Sequence, residues 1–265
     1  MKFGSLFSGV GGLDLGLERA GMGCVWMVEI DDYCQRVLEK HWPSVMKHKD
    51  VKDVGRNNLE PVDLIAGGDP CPAHSRARGG RASRHPDMSG YFLAVVGGLR
   101  PRWVVRENVP SSTTEHFDAA LDALGYGTSI IRLDSAKITG QSRQRDFVVG
   151  CYQTTRESIR NIFSDCQDGE GAYTTSLKAR QVAPALTTHR TRYDSRDCYI
   201  FESGRLRILD GDEREALAGF PRGWTAGFSE TARARMYGNA VVPAVAQYIG
   251  ERICEYDKAY LANER

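Results

Sequence analysis

The sequence lacks any run of about 18 apolar residues, the length a membrane-spanning helix needs. Its opening, Met1-Lys2-Phe3-Gly4-Ser5-Leu6-Phe7-Ser8, carries one Lys and turns to glycines too soon for a secretory leader. A cytoplasmic protein with no membrane partner is expected. The seven cysteines, at 24, 34, 71, 151, 166, 198 and 254, include no Cys-x-x-Cys pair. That spacing and the odd count disfavour a disulfide framework or a zinc ribbon, so no metal is expected. Neither sign of charge is in excess: 35 Lys and Arg face 34 Asp and Glu, a net charge of +1. Net charge therefore argues for no polyanionic partner; only clustering on a face can do so. Gly-Lys-Ser/Thr is absent, which excludes a P-loop. Internal repeats and low-complexity tracts are absent too. With 41% hydrophobic and 26% charged residues the chain is not disordered, and 265 residues fit one or two domains.

What is present is alternation. Lys2–Phe7, Cys24–Ile30, Val62–Ala66, Trp103–Val105 and Phe147–Cys151 are short apolar runs that read as strands. Leu13–Ala20, the stretch up to about Lys40, Phe92–Leu99 and Phe117–Leu124 read as helices. This alternation predicts an α/β fold, a parallel sheet with helices on both faces. The pattern fades between Tyr152 and Gly204, which is rich in Thr, Ser, Arg and Asp. That stretch reads as a smaller second lobe or an elaborated loop region. Asp212–Gly219 and Val241–Tyr256 are again helical, the latter with Pro243 in its first turn.

Two loops follow strands. Phe7-Ser8-Gly9-Val10-Gly11-Gly12 leads into the first helix, and its glycines permit a tight turn and close approach of a ligand. A dinucleotide fingerprint would need glycine at position 14, where Asp14 stands. Glu29, closing the second strand, is placed to accept hydrogen bonds from two ribose hydroxyls. These features describe an adenosine-binding unit; a tight turn beside a solvated Glu29 fits the same residues. The second loop is Gly67-Gly68-Asp69-Pro70-Cys71-Pro72, in which two prolines clamp Cys71 at the carboxyl edge of the sheet. From Cys71 to Pro86 the chain has Arg76, Arg78, Arg81, Arg84, His74 and His85, and no acid. Such a field favours thiolate and holds phosphates. A structural cysteine beside a solvated basic loop is the plainer alternative.

Further segments follow in order: Glu107-Asn108-Val109, Gln141-Ser142-Arg143-Gln144-Arg145, Arg207 to Pro221 ending Ala218-Gly219-Phe220-Pro221, and Tyr237-Gly238-Asn239-Ala240-Val241-Val242-Pro243. With the two loops they carry a resemblance, from end to end and in family order, to the DNA (cytosine-5) methyltransferases that use S-adenosylmethionine. Each triplet alone is weak; the set in order makes chance a poor explanation.

The resemblance implies a Rossmann-like class I methyltransferase fold, a mostly parallel twisted sheet, with a small, reduced target-recognition lobe. The cofactor-binding catalytic domain would be 1–150 and 225–265, and the lobe 151–224. It implies S-adenosylmethionine held by Phe7, Ser8, Gly9, Gly11, Gly12 and Leu13, by Glu29 and Ile30 at the ribose and adenine, and by Asp50 and Val51 at the adenine ring. Pro70, Met88, Asn239 and Ala240 complete that set. Cytosine C5 is too weak a nucleophile to attack a methyl sulfonium. Addition of the Cys71 thiolate to C6 would make C5 an enamine carbon. Glu107 would hydrogen-bond N3 and the exocyclic amine, and Arg145 would hold the base carbonyl and orient Glu107, with Arg143 nearby. The implied partner is double-stranded DNA, with the target base flipped out of the stack. Ser75, Arg76, Arg78, Arg81 and Arg84 would grip it, with Lys178, Arg180, Arg190 and Arg192 in the lobe. A monomer encoded by a bacterium or phage is expected; restriction-modification, phage self-protection and regulation are all compatible roles.

Three residues depart from the family pattern: Pro72 for the usual Gln, His74 for the usual Phe before Ser75, and Asp69 for Pro or an apolar residue. None removes a group the chemistry requires. Only about 40 residues separate Arg145 from Ala183-Pro184-Ala185-Leu186-Thr187, near the start of the ninth-motif region. Family members insert a much longer target-recognition region there. Few base contacts fit, each worth about 1–3 kcal/mol of discrimination, so a short or relaxed target sequence is expected. The same motifs are kept by a tRNA cytosine-5 methyltransferase. A non-catalytic DNA-binding homologue, or transfer from a modified S-adenosylmethionine, is a further alternative.

Overall fold

The computed structural model describes residues 1–70, 87–164, 183–188 and 198–263. Chain order runs β1 (Lys2–Leu6), α1 (Gly12–Arg19), β2 (Gly23–Val28), α2 (Asp32–His41), β3 (Met46–His48) and β4 (Leu64–Gly67). Then come α3 (Ser89–Leu99), β5 (Trp103–Asn108), α4 (Ser112–Ala123), β6 (Tyr126–Asp134), β7 (Gln144–Tyr152) and α5 (Arg156–Ile162). The sheet order is β3-β2-β1-β4-β5-β7-β6. Neighbours among β1 to β5 pair in parallel, while β7 is antiparallel to both β5 and β6. The alternation predicts a parallel sheet; the antiparallel β7 makes it mostly parallel, the Rossmann-like fold that the resemblance implies.

β4 and β5 are buried at every position, as central strands covered on both faces must be. On one face Phe3, Leu13, Leu17, Trp103, Val105 and Phe147 pack with the C-terminal helix. On the other, Leu6, Ile65, Val104 and Val148 pack against Phe92 and Val96 of α3 and Phe117 and Leu121 of α4. α2 starts at a side-chain cap: Asp31 Oδ1 accepts from the Tyr33 and Cys34 amides at 2.9 and 3.1 Å.

A hairpin, β8 (Tyr199–Glu202) and β9 (Arg205–Ile208), then leads to α6 (Gly211–Leu217), α7 (Glu230–Asn239) and α8 (Pro243–Asn263). Asp210 and Glu213 form a capping box on α6. A third core joins α2 to this region through Leu38, Trp42, Phe220, Trp224 and Tyr237. Glu215 is buried between α6 and α7, accepting from Thr225 N at 2.9 Å and Tyr237 Oη at 2.7 Å.

Several elements lie beyond the sequence reading. β6 was not expected, because its buried positions include Thr128 and Ser129 and its polarity does not alternate. α5 lies in the stretch read as weakly patterned; Thr155 caps it, and Ile159 and Phe163 reach the first core. β3 and α7 were also missed, and β5 runs three residues past Val105 to Asn108.

Candidate active site

Strand order reverses between β1 and β4, and open α/β sheets bind ligands at such a switch point, beyond the carboxyl ends of the strands. Both predicted loops leave from there. In the glycine loop Phe7, Gly9 and Gly11 take φ of 55, 58 and 81°. The Phe7 ring is held against Phe92, with centroids 6.5 Å apart. A Cβ on Gly12 would lie 2.2 Å from Val241 O, so the loop abuts the segment between α7 and α8. A Cβ on Gly9 would meet nothing within 4 Å, so the loop backbone there borders open space. Ser8 Oγ donates to Ser5 Oγ at 2.8 Å. Leu13 is buried in the α1–α8 core, its amide in the first turn of α1.

Glu29 accepts from Gly9 N at 2.7 Å and from Asp31 N at 2.8 Å. Burial pushes its carboxyl up to about 7 against the pull of the Gly9 amide. Beside it Ile30 is 61% exposed, an apolar surface next to an anchored carboxylate. Asp50 caps a short 3₁₀ turn, accepting from Lys52 N at 3.0 Å, while Val51 is buried among Val28, Leu59 and Phe92. Met88 is half-buried on that cluster at the start of α3. Asn239 ends α7 and Ala240 follows it in extended backbone. Cradle, carboxylate and apolar ledge fit the sugar and base of an adenosine ligand.

The other half of the site lies on β5 and β7. Glu107 is nearly buried, and Arg145 Nε stands 3.0 Å from its Oε1, an ion pair lacking hydrogen-bond alignment. The β5–β7 register sets Asn108 opposite Asp146, which brings Arg145 to the same rim. Arg143, also buried, donates from Nη1 to Gly238 O at 3.0 Å. Glu107, Arg143, Arg145, Phe147, Val241 and Val242 line one small cavity. A Cβ on Gly68 would lie 3.1 Å from Glu107 Oε2, so the stem of the cysteine loop passes beside this carboxylate. Pro70 is exposed at the end of that stem. Cys71, Ser75, Arg76, Arg78, Arg81, Arg84, Lys178, Arg180, Arg190 and Arg192 lie outside the described residues.

Sequence reasoning missed two buried charges. Asp14 is fully buried in the first turn of α1, and neither carboxylate oxygen has a hydrogen-bond partner. Burial pushes its carboxyl up to about 7, outweighing the pull of the nearby Ser5 hydroxyl. Arg106 is fully buried and paired with Asp69. The signal for Arg106 was present: a charge continuing the apolar run Trp103-Val104-Val105, in a chain whose Asp69 already departs from the family. Among the described residues no cluster of three or more His, Cys, Asp or Glu is arranged to hold a metal. No helix among them is long and apolar enough to cross a membrane.

Comparison with known proteins agrees with this geometry. A profile of the C-5 cytosine-specific DNA methylase family matches residues 1–176 and 155–255. The chain is 28% identical to Type II methyltransferase M2.BsuMI of Bacillus subtilis, covering 96% of this chain and 76% of that protein. It is 28% identical to Type II methyltransferase M.NgoMIV of Neisseria gonorrhoeae, covering 96% and 97%. In fold it is similar to a Spodoptera frugiperda DNMT2 mutant, with a TM-score of 0.73 at 16% identity over 95% of this chain and 98% of that one. A putative DNA modification methyltransferase encoded within an Escherichia coli prophage gives a TM-score of 0.66 at 19% identity, over 96% and 99%. Motif order, sheet and profile converge: the chain belongs to the C-5 cytosine-specific DNA methylase family, whose members use S-adenosylmethionine.

Proposed function

We propose that this protein transfers a methyl group from S-adenosylmethionine to C5 of cytosine in double-stranded DNA, through a transient bond between Cys71 and C6 of a flipped-out base. The observation that carries this reading is the cavity joining Glu107, Arg143 and Arg145 to Val241 and Val242, with Gly68 beside Glu107.

The glycine loop, Glu29 and Ile30 would hold the donor, with Asp50, Val51, Met88, Asn239 and Ala240 around it. The donor supplies an electrophilic methyl on a sulfonium. On the protein side, the Cys71 thiolate adds to C6 and electron density moves toward N3 and C5. Glu107 hydrogen-bonds N3 and the exocyclic amine, which stabilises that adduct. Arg145, already 3.0 Å from Glu107, orients the carboxyl and reaches the base carbonyl. After C5 gains its methyl, the C5 proton leaves to a base, with water available for that role. The electron pair of the broken C–H bond then forms C5=C6 and expels the thiolate.

The arginines after Cys71 and the basic residues of 176–193 would carry DNA contact, dominated by phosphates. With so short a lobe, 151–224, target recognition is short or relaxed. A cytoplasmic monomer of bacterial or phage origin, in restriction-modification or self-protection, suits this reading. Incubation with S-adenosylmethionine and duplex DNA containing 5-fluorocytosine tests it. A denaturant-stable protein–DNA adduct is expected, and none with Cys71→Ala. Adduct formation on tRNA but not duplex would transfer the reading to RNA. Methylation persisting in Cys71→Ala would remove Cys71 from the chemistry.

A further inference from the structure

We propose that Asp69 and Arg106 are a positioning pair: a buried clamp that fixes the stem of the Cys71 loop against the strand carrying Glu107. The inference rests on the roles of Cys71 and Glu107 proposed above. Arg106 Nε lies 2.5 Å from Asp69 Oδ1 and Nη2 lies 2.8 Å from Oδ2, with both side chains wholly buried. The guanidinium is held from two further sides. It sits 4.5 Å over the Phe117 ring, and Nη1 points at Thr113 O, 3.4 Å away. The backbone of Asp69 is held as well: its carbonyl accepts from Asn108 Nδ2 at 3.2 Å.

The arrangement follows from strand alternation. Arg106 and Asn108 flank Glu107 on β5 and share the face opposite to it. Both hold Asp69, one by its side chain and one by its carbonyl. Gly68, meanwhile, passes against Glu107 on the same rim. Cys71 is two residues beyond Asp69, so its Cα is tethered within roughly 7 Å of that anchor. A buried ion pair is seldom a gain in stability, since apolar residues of like volume fill such a site without desolvating two charges. What the bidentate fork does supply is one register and one orientation. The chemistry needs that property, because sulfur and carboxyl must meet different atoms of one pyrimidine.

The test uses the full chain with S-adenosylmethionine and mixed-sequence duplex DNA bearing 5-fluorocytosine. The single-turnover rate of adduct formation is read beside thermal stability and cofactor affinity. Asp69→Asn, and the double variant Asp69→Leu with Arg106→Met, are each expected to slow adduct formation about 10- to 100-fold with cofactor affinity unchanged. The double variant is expected to keep or exceed the stability of the unaltered protein, which separates positioning from folding. A folded variant that forms adduct at the unaltered rate overturns the proposal. Should the double variant fail to fold, Asp69→Asn and Asp69→Glu decide it by the same criterion. Absence of adduct with the unaltered protein removes the reading of Cys71 and this proposal with it, whereas an unaltered rate in a folded variant removes the clamp alone.

Discussion

Four carboxylates near the site show how far surroundings divide one chemical group. Glu107 faces an arginine, Glu29 takes two backbone amides, Asp69 is matched by a buried guanidinium, and Asp14 has no partner. Only the first two were legible in the sequence, Glu107 from its Glu-Asn-Val setting and Glu29 from closing a strand. Burial of Asp14 depends on how α1 packs, which no local pattern encodes. It has a consequence for pH. Its carboxyl rises from 3.8 to about 7, so the fold holds this proton more tightly than the unfolded chain does. The stability it contributes is full below about 4 and is lost as pH climbs through about 7. Relative to Asp14→Asn, the unaltered protein is expected to lose melting temperature between those limits. Parallel melting curves for the two proteins across this range would count against it.

At the scale of elements, α1 and α8 meet backbone to backbone. A Cβ on Gly16 would stand 2.3 Å from Pro243 O and 2.4 Å from the Ala246 Cβ. In an exposed helix, Gly to Ala stabilises by about 1 kcal/mol. Here overpacking dominates, and Gly16→Ala is expected to destabilise by about 1–3 kcal/mol in denaturant titration. A gain would mean that α8 yields without cost. The same scale shows what the sequence can reveal. β1, β2, β4, α1 and α2 were read within a few residues because each is a short apolar run or a periodic stretch bounded by glycines or caps. β6 escaped because Thr128 and Ser129 are buried where α4 and α5 pack on this strand, a tertiary event, and because it also carries Arg132. α5 escaped because its stretch is mostly polar and only Ile159, Ile162 and Phe163 reach the core.

For the whole molecule, the glycine loop proposed to hold the donor sits where three regions meet: β1, the Glu29 corner, and the α7–α8 segment at Val241. A ligand bound to the native state alone adds about 2.7 kcal/mol when present at 100 times its Kd. S-adenosylmethionine is therefore expected to raise the melting temperature of the whole chain, and Glu29→Ala to abolish most of that rise. An equal rise in both proteins would place the donor elsewhere. Architecture and motif order were legible at this scale. The basic residues of 76–84 and 178–192 lie outside the described residues.

The reversed direction of β7 has its own logic. Had this strand run with its neighbours, its first residues would have emerged at the amino-terminal rim, a full strand length from Glu107. Running backwards, the β6–β7 hairpin turns over at the rim that carries Glu107 and delivers two guanidinium groups there within three residues of chain. The exit after Tyr152 lies at the distant rim. Protein engineers wishing to append a new reader of sequence would thus find, just after that exit, a splice point remote from Glu107 and Arg145.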